Sequence, residues 1–73
     1  MAYRIGKCLL SERLRQVGIS QAQLAEQLKV TRQQVNKWTT NRQKMSLETA
    51  KNVAIILDLN SIDELYEWVP ARD

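Results

Sequence analysis

Hydroxyl residues stand at positions 20, 31, 46 and 61, each at the head of a stretch whose apolar residues recur at intervals of three and four. A Ser or Thr side chain so placed accepts a hydrogen bond from a free backbone N–H of the first helical turn, which makes each a predicted helix N-cap. Gln23, Gln34 and Glu64 follow Ser20, Thr31 and Ser61 at the spacing of a capping box. Starts this close together leave room only for short helices. One proline, Pro70, and two glycines, Gly6 and Gly18, give little other punctuation, and no segment sustains the alternation of a half-buried strand.

The chain therefore reads as all-α, with five helices in one domain spanning residues 1–73 and an ordered core of about residues 4–69. The first segment, about residues 4–17, sets Ile5, Leu9, Leu10, Leu14 and Val17 near one face, with Cys8 beside them and Gly18 as a left-handed C-cap. The second runs from Ser20 to about residue 28, with Ala22, Leu24, Ala25 and Leu28 as its apolar positions. The third follows Thr31 and has only Val35 and Trp38 as large apolar residues, so it buries one narrow stripe in which Trp38 is a packing residue. Ser46 opens the fourth, through Leu47, Ala50, Val53, Ala54 and Leu57, with Ile55 and Ile56 widening the buried face. Asp58, Leu59 and Asn60 read as a turn before the fifth, which carries Ile62, Leu65, Tyr66 and Val69 and ends at Pro70.

Composition excludes most chemistry. A single cysteine and no histidine among 73 residues allow no intrachain disulfide, leave a metal site without its usual ligands, and give a cysteine nucleophile no base. Cys8 is read as an inert small hydrophobe. With no phosphate-binding loop and no clustered carboxylates, no catalytic residue, cofactor or small-molecule ligand is expected, and the chain is not read as an enzyme. No stretch approaches the ~20 apolar residues of a membrane span, so the expected location is the cytoplasm.

Charge is unevenly spread. Residues 1–44 carry nine Lys and Arg against Glu12 and Glu26, whereas residues 45–73 carry Lys51 and Arg72 against six acids. Lys29, Arg32, Lys37, Arg42 and Lys44 fall in a stretch without an acid. A connection of about three residues, Lys29, Val30 and Thr31, makes helices two and three cross steeply, with Ala25 permitting close approach and Val30 tucked inward. The third helix then turns Arg32, Gln33, Asn36 and Lys37 outward, with Gln34 toward one edge. Gln and Asn match adenine edges, and Arg or Lys match guanine N7 and O6, while an acid would be repelled by phosphates. A plain solvated face is the competing reading, and it applies equally to Arg4, Lys7, Arg13 and Arg15 on the first helix.

The stretch QAQLAEQLKVTRQQVNKW resembles the helix-turn-helix of the Cro and phage-repressor family, the xenobiotic-response-element type, with Leu-Ala at the centre of one helix, a β-branched residue in the turn and an aromatic near the end of the next. It departs from the common pattern with Lys29 where glycine is usual in the turn, and with TTNR after the recognition helix. The resemblance implies a five-helix, lambda-repressor-like domain over roughly residues 5–68. It implies base contacts from Arg32, Gln33, Asn36 and Lys37, and DNA-backbone contacts from Gln21, Thr31, Asn41, Arg42 and Lys44. Double-stranded DNA is the implied partner, bound by a homodimer on an inverted repeat with half-sites about 10 bp apart. The function implied is that of a small repressor of phage or mobile-element type, associated with the nucleoid.

Leu65, Tyr66, Trp68 and Val69 are more large apolar residues than one short helix can bury, and related repressors dimerise through this region. Trp68, Val69 and Pro70 are thus the candidate dimer contact, against a reading in which Trp68 lies over the first helix. The alternative function is a protein-interaction module, an antirepressor or adaptor, that acts through the same C-terminal helix.

Overall fold

A computed structural model describes residues 2–71. The order is strand β1 (Tyr3–Cys8), helices α1 (Leu10–Val17), α2 (Gln21–Leu28), α3 (Arg32–Thr39) and α4 (Leu47–Ile56), a 3-10 turn (Ile62–Leu65) and strand β2 (Tyr66–Pro70). The middle of the chain follows its local signals. Ser20, Thr31 and Ser46 each accept a hydrogen bond from the backbone N–H three residues on, and Ser20 with Gln23 forms a complete capping box. Gly18, at φ 85°, ends α1 in the left-handed conformation.

Both ends differ from the all-α, five-helix expectation. The first third or so of the predicted first helix is β1, and the last four residues of the predicted fifth helix, 66–69, belong to β2, paired antiparallel with Tyr3 opposite Pro70, Arg4 opposite Val69 and Ile5 opposite Trp68. Between Ile5 and Cys8 the register shifts, so that Cys8 stands opposite Tyr66. This bulge disrupts the period of two and lets Ile5, Cys8 and Leu9 mimic helical spacing. Gly6 fits closely there: a Cβ would lie 3.0 Å from Val69 Cγ2 and 3.2 Å from Glu67 Cβ, so a larger residue would ask those side chains to give by a few tenths of an ångström. At the other end the Ser61–Glu64 capping box forms as expected but caps one 3-10 turn only. Tyr66, Trp68 and Val69, all strand formers, then continue as β2. Ala71 N–H donates to Ala2 O at 3.1 Å. Pro70, one residue earlier, therefore stands where its nitrogen faces away from β1 and its missing donor does not interrupt the ladder.

One core joins these elements. Leu10, Leu24, Val35, Val53 and Leu65 are fully buried, with Trp38, Met45, Leu57 and Tyr66 packed among them. Arg13 is half-buried rather than a free surface charge: its Nε donates to Glu64 O at 2.7 Å and pins the 3-10 turn to α1. Several residues expected inside are exposed: Val30 at 37%, Val17 at 44%, Ile55 at 64% and Leu47 at 74%. In α4 and its C-cap residue Leu57, Ala50, Val53, Ala54 and Leu57 already complete a buried stripe, so the flanking Leu47 and Ile55 fall outside it. Val30 spends its backbone on the turn instead, donating N–H to Ala25 O at 3.0 Å.

Lys29 caps α2 at φ 59°, a left-handed position that disfavours a side chain. Lys29→Gly is accordingly expected to stabilise the fold by about 1 kcal/mol, a rise in Tm of about 4–8 °C for a domain of this size. A calorimetric scan of the two proteins checks it; an unchanged or lower Tm would show that the strain is relieved elsewhere.

Candidate nucleic-acid interface

The turn through Lys29 and Val30 brings the N-terminus of α2 alongside α3, and between them runs an open groove. Ser20, Gln21, Ala22, Arg32, Gln33, Asn36, Lys37 and Arg42 line it, and none of these is acidic. Val35 and Trp38 anchor α3 to the core at 0% and 4% exposure, which forces Arg32, Gln33, Asn36 and Lys37 to the outside. The helix has no acidic residue in its first turn and a cation, Lys37, in its last. Its positive N-terminal dipole therefore adds to the side-chain charge along the groove instead of being offset by a carboxylate.

All four residues expected to reach bases thus share one surface with two of the five expected to reach the DNA backbone, Gln21 and Arg42. The other three have different settings. Thr31 Oγ1 is engaged as the α3 cap, accepting from Gln34 N–H at 3.1 Å. Asn41 is left-handed at φ 63°, and its Oδ1 accepts the backbone N–H of Cys8 at 2.9 Å. Lys44 is exposed on the loop after α3 but does not line the groove. Gln34, expected at an edge of the helix, turns back to donate from Nε2 to Gln43 Oε1 at 2.9 Å.

Two groove residues escape sequence reasoning. Ser20 is legible as a cap and Ala22 as an apolar position of α2, yet both line the groove.

Below the loop, Cys8 and Tyr66 face each other inside the core. Burial pushes the Cys8 thiol above its ordinary 9.0, although the Leu10 backbone and the Tyr66 hydroxyl pull the other way. Burial likewise raises Tyr66 above 10.0, opposed by the Met45 N–H. Both groups are neutral near pH 7, consistent with a thiol that packs and does not react. Trp68, at 41% exposure, donates from Nε1 to Asp63 O at 3.0 Å. Trp68 thus belongs to β2, and its indole reaches back to the 3-10 turn. Val69 is half-buried beside it and Pro70 exposed.

Among the described residues no helix is long and apolar enough to cross a membrane. No curated protein matches the chain significantly. A family model described as helix-turn-helix does match, over residues 10–65, a span that contains α1 to α4 and the whole groove. The chain belongs to the Cro and xenobiotic-response-element type of helix-turn-helix family, which is DNA-binding and non-enzymatic.

Proposed function

We propose that this protein is a sequence-specific transcriptional regulator that sets α3 in the major groove of double-stranded DNA and acts as a small repressor of phage or mobile-element type. The observation that carries the reading is the acid-free groove in which Arg32, Gln33, Asn36 and Lys37 stand beside Gln21 and Arg42. The first four have the donor and acceptor patterns of base-edge readers, while a helix N-terminus and an arginine suit phosphates. Thr31, Asn41 and Lys44 would support the backbone contacts from the flanks. Two protomers would occupy an inverted repeat, with Trp68, Val69 and Pro70 of β2 supplying the contact between them. Residues 1–73 would act as one domain in the cytoplasm, and occupancy of the site would regulate by occluding a promoter.

Selection of bound duplexes from a randomised library, at near-physiological salt, tests the reading. Enrichment of a twofold-symmetric site is the expected result. No enrichment would leave the groove a solvated surface and favour the adaptor reading, for which exposed Trp68 and Tyr3 would be the place to seek a protein partner. On the enriched site, Gln33→Ala or Lys37→Ala is expected to cost about 1–3 kcal/mol and relax preference at one base pair. Gln21→Ala and Arg42→Ala should instead weaken all sequences alike, which competition against scrambled duplexes measures. If both pairs behave identically, α3 is not the reading element.

A further inference from the structure

The helix-turn-helix match ends at residue 65 and begins at residue 10, so the sheet lies outside it. Yet one rung of that sheet, Cys8 opposite Tyr66, holds both ends of the loop that follows α3. On the β1 side, Cys8 donates its backbone N–H to Asn41 Oδ1 at 2.9 Å. On the β2 side, the Tyr66 hydroxyl accepts the backbone N–H of Met45 at 3.0 Å, with Met45 and Tyr66 both buried. Arg42 and Lys44 lie between these two tethers. A third contact, Gln34 to Gln43, ties the middle of the loop to α3, and Lys37 O accepts both Arg42 N–H at 2.9 Å and Gln43 N–H at 3.2 Å.

We infer that the Cys8–Tyr66 rung is a mount for the α3–α4 loop, and that Asn41 and Tyr66 are positioning residues that fix Arg42 and Lys44 toward the DNA backbone. The inference rests on the DNA-binding reading of the groove and gives Asn41 a role other than direct phosphate contact. The physical reason lies in entropy. A loop held at both ends before DNA arrives has little conformational freedom left to lose when its cations meet phosphates, whereas in a freed loop that ordering costs about as much as one exposed contact gains and the cation stays in solvent. The geometry of Asn41 suits that role, because a left-handed residue turns the chain sharply at the end of α3, and Asn tolerates that conformation while offering an acceptor.

The test uses Asn41→Gly, which keeps the left-handed turn and removes the acceptor, and Tyr66→Phe, which keeps the ring and removes the hydroxyl. Binding to a fluorescent duplex of arbitrary sequence is titrated at several salt concentrations, for folded proteins verified by circular dichroism. Each variant is expected to bind about tenfold more weakly, with a salt slope shallower by about one per protomer because a cation no longer meets its phosphate. Arg42→Ala, worth about tenfold in the wild type, should cost less than about twofold in the Asn41→Gly background. Unchanged affinity and slope in either folded variant would overturn the mount, as would an Arg42→Ala cost equal in both backgrounds. If one variant fails to fold, the other decides. A wild-type protein that binds no duplex would overturn the DNA reading itself, and that result is seen before any variant is made.

Discussion

Trp38→Ala is expected to be the most destructive single change in the chain, costing about 3–5 kcal/mol. Trp38 is 4% exposed, sits in the same buried cluster as Leu24, Val35 and Val53, and is one of only two large apolar anchors of α3. Against a total stability of about 5–10 kcal/mol for a small domain, that loss brings the folded state close to the midpoint of unfolding. Urea titration followed by helical circular dichroism measures it, with the midpoint falling sharply and the slope preserved. A Trp38 that stacked on a nucleobase would give the opposite pattern, near-normal stability with weakened DNA binding. That outcome would dislodge α3 from its anchored orientation and with it the assignment of the outward face.

Salt is expected to have the largest effect on binding. Arg32, Lys37, Arg42 and Lys44 surround the groove or its adjoining loop. If all four displace counterions, raising salt from about 50 to about 200 mM lowers affinity by about 100-fold per protomer. Fluorescence anisotropy across that range reads the slope directly. A nearly flat dependence would mean that the cations do not meet phosphates, whatever sequence preference the protein shows. Neutral Gln33 and Asn36 supply a contrast, since their removal should shift affinity at every salt concentration without changing the slope.

What could be read from the sequence was what the chain decides locally. Ser20, Thr31 and Ser46 determine where α2, α3 and α4 begin, and their caps involve residues three positions away, well within the reach of pattern reading. The outward face of α3 followed from the same logic, because Val35 and Trp38 leave its polar residues only one direction. The sheet could not be read that way. Ile5 finds its partner at Trp68, with nearly the whole chain between them, and the bulge at Gly6 and Lys7 disrupts the alternation that would have announced a strand. Ser61 and Glu64 compounded the error: a true capping box states that a helix starts and says nothing about how soon it stops. The same nonlocality hid the settings of Asn41 and Met45, whose partners come from the two strands.

The pairing of β1 with β2 also divides the fold into what is local and what needs the whole chain. The caps of α2, α3 and α4 each close over three residues, so their first turns need nothing from the rest of the chain. Residues Tyr3–Cys8 have no strand to pair with until Tyr66–Pro70 are present. A chain without β2 would keep the local caps of α2 and α3 but lose the grip on Met45. The order of the loop after α3 thus depends on two strands drawn from opposite sides of the four helices.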